Sequence, residues 1–152
     1  MRVTVVAVGR DRGGVHRDLF NHYVGRLRWP VTLREVEVRG KLAGAKLKRE
    51  EAKLLLAAIP NGAAVIALDE TGKTLSSREF AGCISRIMDD GIAEIALIIG
   101  GADGLDASIR ERAELTLSLG RVTWPHLLIR GMLTEQLYRA QQIIAGHPYH
   151  RD

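Results

Sequence analysis

The sequence predicts an α/β fold with a mostly parallel sheet flanked by helices. Short apolar runs such as Val3-Thr4-Val5-Val6-Ala7-Val8 and Ile95-Ala96-Leu97-Ile98-Ile99 read as strands. They alternate with longer segments of helical periodicity. Several of the runs are apolar on both faces, as strands sandwiched between helix layers must be. The 152 residues suit a single domain over 1–152 with a core that needs no disulfide or structural metal.

Residues 2–8 form the first predicted strand, closed by Gly9, and residues 9–14 a loop holding Arg10, Asp11 and Arg12. Residues 15–27 place Leu19, Phe20, Tyr23, Val24 and Leu27 on one helical face, and Trp29-Pro30 stops that helix. Residues 31–38 mix valine with charge, the pattern of a more exposed strand, and 39–44 form a basic loop. A helix over 45–59 has Leu47, Leu54 and Leu55 apolar and Lys46, Lys48, Arg49 and Lys53 solvated. After the Pro60-Asn61-Gly62 turn comes a strand over 63–68, ending at Asp69-Glu70. Ser76-Ser77-Arg78-Glu79 has capping-box form and opens a helix to Met88. A strand over 93–99, a short helix over 106–113, a strand over 115–119 and a long helix over 126–145 complete the chain before a polar tail. The last helix is apolar on more than one stripe, which fits either a deep core position or packing on a second subunit. Ligands of such sheets bind beyond the carboxyl ends of the strands, which points to the loops after Leu68, Ile99 and Leu119.

Composition excludes several classes. A lone cysteine, Cys83, permits no internal disulfide, and its helical spacing with Phe80, Ile84 and Ile87 suggests a buried small hydrophobe. The five histidines show neither an HxxxH spacing nor a Cys/His cluster, so no metal is expected. No apolar run is long enough to cross a bilayer, and residues 1–8 lack signal-peptide form, so the expected location is the cytoplasm. Residues 1–60 carry 13 Lys/Arg against 6 Asp/Glu, and the remainder 9 against 12. That basic front half is either a phosphate-facing surface or a solvated helix face.

Gly100-Gly101-Ala102-Asp103-Gly104 follows a buried strand and precedes a helix. Its glycines permit close approach of a ligand, or simply a tight turn. The motif is not a Walker A loop, since no Gly-Lys-Ser/Thr follows, and GxGxxG spacing is absent. Residues 119–125, Leu-Gly-Arg-Val-Thr-Trp-Pro, form a rather apolar loop that suits a ligand wall. Glu135 and Arg139 are spaced i, i+4 for an ion pair. The tail His147-Pro148-Tyr149-His150-Arg151-Asp152 carries groups that stack on bases and bind phosphate, though a frayed end is the ordinary reading of a terminus.

Taken together, Leu68-Asp69, Leu97-Ile98-Ile99-Gly100-Gly101-x-Asp103-Gly104, Thr123-x-Pro125-His126, Glu135-Gln136-Leu137-Tyr138-Arg139-Ala140 and His147-Pro148-Tyr149-His150-Arg151 closely resemble the ribosomal RNA large subunit methyltransferase H family. These are pseudouridine N3-methyltransferases of the SPOUT superfamily, and the resemblance covers nearly the whole chain. Many relatives have Pro-Glu where this chain has Ala102-Asp103.

The resemblance implies a C-terminal deep trefoil knot, a homodimer and S-adenosyl-L-methionine as co-substrate, without metal. It implies a donor site built from Leu68, Gly100, Leu119, Gly120, Arg121, Val122, Thr123 and Trp124. The implied acceptor is a pseudouridine in 23S ribosomal RNA, within the large subunit or the 70S ribosome. Side-chain chemistry then suggests roles. Glu135 would accept the imide proton, Arg139 would orient it, and Tyr149 and His150 would pin the acceptor base and close the pocket. Arg10, His126, Arg130 and Arg151 are the expected RNA contacts. Two rival classes remain at this point: a ribosome- or RNA-binding protein without catalysis, and a nucleotide-binding α/β enzyme such as a small dehydrogenase.

Overall fold

The computed structural model describes residues 1–149. Strands and helices alternate: β1 (Arg2–Val8), α1 (Val15–Val24), β2 (Val31–Val36), α2 (Gly44–Ala58), β3 (Ala64–Thr74), α3 (Ser77–Asp89), β4 (Glu94–Ile99), α4 (Ala107–Arg112), β5 (Leu115–Ser118) and α5 (His126–Ile144). The strands make one sheet in the order β2-β1-β4-β3-β5, and every neighbouring pair is parallel.

Side chains alternate across a strand, so each central strand feeds two cores. On one face Val3, Val5, Ile95 and Leu97 pack with Phe20 of α1, Ile84 of α3 and Leu133 and Leu137 of α5. On the other, Val6, Val8, Ala96 and Ile98 meet Ala52 and Leu55 of α2 and Ile109 of α4. Double-sided burial explains the largely apolar runs of β1, β4 and the first five residues of β3. Strand β2 lies at the sheet edge, and its exposure alternates, as its mixed composition predicts.

The boundaries differ from the expected ones in informative places. Helix α1 ends at Val24, with Gly25 as its cap and Leu27 in the turn that follows. Strand β3 does not stop at Leu68. Leu68 and Lys73 both register with Leu117, so residues 69–72 loop out and the strand resumes to Thr74. Gly72 makes that detour possible. A Cβ there would lie 2.7 Å from the carbonyl carbon of Leu117 and from Thr116 O. The capping box of α3 forms as predicted, with Ser76 N–H donating to Glu79 Oε2 at 2.7 Å and Glu79 N–H to Ser76 Oγ at 3.2 Å. In α2, Leu55 is buried but Leu54 is exposed, and Glu51 takes an inward position instead. Cys83 is only half-buried.

Helix α5 lies deep within its own chain, against α1 and α3, which accounts for its surplus of apolar residues. Gly131 lets α1 approach, since a Cβ there would sit 2.6 Å from Leu19 Cδ2. Among the described residues no helix is long and apolar enough to cross a membrane.

Candidate active site

A cavity of about 710 Å³ opens at the carboxyl ends of β3, β4 and β5. This is where the sheet topology directs ligands. Leu68 and Gly100 form its floor, and Leu119, Gly120, Val122, Thr123 and Trp124 one wall. The loop after β5 is fastened at its root. Ser118 Oγ accepts from Gly120 N–H at 3.2 Å and donates to Gly120 O at 3.0 Å, while Trp124 Nε1–H donates to Leu119 O at 3.2 Å. Gly120 has φ +104°, a conformation that side chains disfavour. Gly100 serves the fold of its own loop. A Cβ there would meet Leu105 Cδ2 at 3.0 Å and Gly104 at 3.1 Å. Arg121, grouped with the donor residues by sequence, is exposed and does not line the cavity.

Opposite the loop the cavity is charged. Asp69 and Arg110 pair there at 3.2 Å. Burial alone would raise the Asp69 carboxyl. The Thr71 hydroxyl and amide and the Arg110 guanidinium outweigh it and hold that carboxyl below its ordinary range. Lys48, Glu70 and Asp103 complete this end.

A second cavity, about 560 Å³, lies on the α1–α3–α5 side and is lined by Glu135, Gln136 and Tyr23. The segment 117–120 borders both cavities. Beside this second space the structure brings together three residues that the sequence grouped as catalytic. Arg139 Nε donates to Glu135 Oε1 at 3.0 Å, and Gln136 Nε2 donates to the other oxygen at 2.6 Å. Tyr149 O–H reaches Glu135 Oε1 at 3.4 Å. The Arg139 guanidinium lies 5.0 Å from the Tyr149 ring centroid, and Tyr138 meets that ring edge-on at 4.8 Å. Burial pushes the Tyr149 phenol up, and Glu135 and Tyr23 add to this. None of the three lines the first cavity. His150 and Arg151 lie outside the described residues.

The expected RNA contacts separate. Arg10 is exposed and approaches Glu37 at a long 3.7 Å. His126 lines the first cavity at the start of α5, and burial pushes its imidazole down, helped by the Arg130 charge. Arg130 overturns its assignment, because it is 1% exposed. Its Nη1 pairs with Glu35 at 2.6 Å, and its Nη2 donates to Val8 O at 3.1 Å and Gly9 O at 2.7 Å. It fastens α5 to the end of β1 and presents nothing to a phosphate.

With this geometry in view, the family described as "Predicted SPOUT methyltransferase" matches residues 1–150. Ribosomal RNA large subunit methyltransferase H of Rhodospirillum centenum is 59% identical over 151 residues, 99% of each chain. The protein of the same name from Paramagnetospirillum magneticum is 51% identical over the same share of both chains. The chain belongs to this SPOUT methyltransferase family. The fold extends further. A probable methylase family protein from Haemophilus influenzae Rd KW20 superposes with a TM-score of 0.57 at 10% identity, over 99% of this chain and 70% of that one.

Of the charged residues that line the first cavity, the sequence assigned no site role to Lys48, Glu70 or Arg110 and noted Asp103 only within its glycine motif, while Glu51 stands behind the lining, against Gly101. Glu51 carried a usable signal. It sits four residues from both Leu47 and Leu55, on the apolar side of α2.

Proposed function

We propose that the protein transfers a methyl group from S-adenosyl-L-methionine to N3 of a pseudouridine in 23S ribosomal RNA, on the assembled large subunit or 70S ribosome in the cytoplasm. The observation that carries this reading is the first cavity, walled by residues 119–124, in a chain of this family. Its volume suits a ligand of that size, and its mixture of apolar wall and charged end suits an adenine joined to an amino acid. Family membership also supports a single domain whose C-terminal part is threaded as a deep trefoil knot.

The donor supplies an electrophilic methyl carbon. This chain supplies alignment and a destination for the imide proton. Glu135 is the proposed acceptor, held by Arg139 and Gln136, and the Tyr149 ring is positioned to pin a base. This cluster stands outside the donor cavity of its own chain. Two copies, one contributing the cluster and the other the cavity, would unite them, and this supports a homodimer. The exposed Val122 and Trp124 of the loop are available for that contact.

Calorimetry with S-adenosyl-L-methionine, NAD and ATP, followed by transfer of labelled methyl to ribosomes, tests the reading. The expected result is selective binding of the methyl donor and a labelled large-subunit RNA. RNA binding without donor binding would make this a binding protein instead. Preference for NAD would place it among dehydrogenases.

A further inference from the structure

The first cavity is chemically lopsided. The wall running from Leu117 to Ile129 is neutral or apolar apart from His126, whereas the opposite end holds the other ionisable side chains that line it. There Asp69 and Arg110 satisfy one another at 3.2 Å. Lys48 of α2 and Asp103 of the glycine loop also line that end, and no ion pair joins either of them to another described residue.

Glu51 stands three residues beyond Lys48, on the same side of α2. It is 7% exposed, and no hydrogen-bond donor among the described residues reaches it. Its carboxylate rests against Gly101, another residue of the cavity wall. A Cβ on Gly101 would lie 3.0 Å from one Glu51 oxygen and 3.3 Å from the other. Burial, and after it the charge of Asp103, push the Glu51 carboxyl up. The side chain is buried, yet neither carboxylate oxygen is among the fully enclosed atoms that lack a partner, so a cation brought by a ligand can reach them.

We infer that α2 and the glycine loop grip the amino-acid end of the methyl donor, with Lys48 taking its α-carboxylate and Glu51 with Asp103 its α-ammonium. This rests on the donor class proposed above. It fixes the donor's direction: adenine toward residues 119–124, amino acid toward α2. A zwitterion needs one cation and an anionic partner at its two ends, and these three side chains provide that set.

The test is calorimetric, on the full-length protein, with Lys48→Met and Glu51→Gln. Both variants should bind S-adenosyl-L-methionine and S-adenosylhomocysteine about tenfold or more weakly, as expected when a charge-assisted contact is removed. Affinity for 5′-methylthioadenosine, which lacks the amino-acid end, should stay within twofold of wild type. Decarboxylated S-adenosylmethionine keeps the ammonium alone, so Glu51→Gln should weaken it and Lys48→Met should not. An equal loss for methylthioadenosine would make Glu51 a support of the glycine loop and overturn the inference, as would unchanged donor affinity in both variants. Failure of the wild-type protein to bind any adenosyl donor would remove the functional reading itself. Donor binding by wild type with indifferent variants would remove only this inference.

Discussion

Replacing Arg130 by Met keeps most of the stem volume and removes the guanidinium. Three polar contacts then disappear: the 2.6 Å pair with Glu35 and the bonds to Val8 O and Gly9 O. Hydrogen bonds from charged groups contribute about 1.5–3 kcal/mol each before desolvation is subtracted. Two terms reduce the sum. Arg130 Nε is buried without a partner among the described residues, and Glu35 retains Arg17 at 3.0 Å and the Asp11 amide at 2.9 Å. The expected loss is about 3 kcal/mol, at the low end for breaking a buried ion pair. In thermal terms that is a fall of about 6–12 °C. Urea titration at neutral pH measures it. A loss below about 1 kcal/mol, with weakened ribosome binding, would restore Arg130 to the RNA surface and refute the structural assignment. The pH dependence gives a second check. Burial would raise the Glu35 carboxyl, but the Asp11 amide, Arg130 and Arg17 more than compensate and hold it below its ordinary value of 4.5. The native state therefore binds fewer protons than the unfolded chain in that range. The stability Glu35 contributes is fully present above the unfolded value and is lost as pH falls through the lower, folded one. Arg130→Met should flatten that acid limb.

Gly72→Ala should destabilise the fold by about 1–3 kcal/mol, because its methyl would strike the Thr116–Leu117 backbone at 2.7 Å and force β3 and β5 apart. Gly82→Ala, on the exposed side of α3 with nothing within 4 Å of the new methyl, should instead stabilise by about 1 kcal/mol; paired urea titrations separate the two, and equal effects would count against the β3 crossing. Glu135→Gln should leave donor affinity within twofold and lower single-turnover methyl transfer to ribosomes by about 10²-fold or more, the usual scale of positioned proton transfer. Wild-type transfer in that variant would remove Glu135 from the reaction.

The parts of the fold that were legible in sequence are those governed by local rules. The strands β1 and β4 and the first half of β3 announce themselves because burial on both faces leaves few polar positions, and the α3 capping box because its partners are three residues apart. The Glu135–Arg139 pair was legible for the same reason, one helical turn apart. The detour at residues 69–72 was not, because its polar residues read as a loop and its continuation depends on pairing with a strand more than forty residues later. Arg130 was misread because a charged residue is ordinarily exposed, and its partner Glu35 is 95 positions away. Glu51 was invisible for the complementary reason. Its environment is made by the glycine loop, fifty positions downstream.

The parallel sheet also sets an order of events during synthesis. Strand β1 is the first element made, yet it lies between β2 and β4, and Arg2 registers with Glu94, 92 positions later. Ribosomes add about 5–20 residues per second, so one edge of β1 waits on the order of 5 to 20 seconds for its neighbour. During that interval α1 and α2 can cover the faces of β1 and β2 can pair with one edge, but the other edge, beside the buried Val3, Val5 and Val6, has no strand partner. The nascent chain therefore exposes an unpaired apolar strand edge, the kind of surface that chaperones bind and that aggregates when translation outpaces folding.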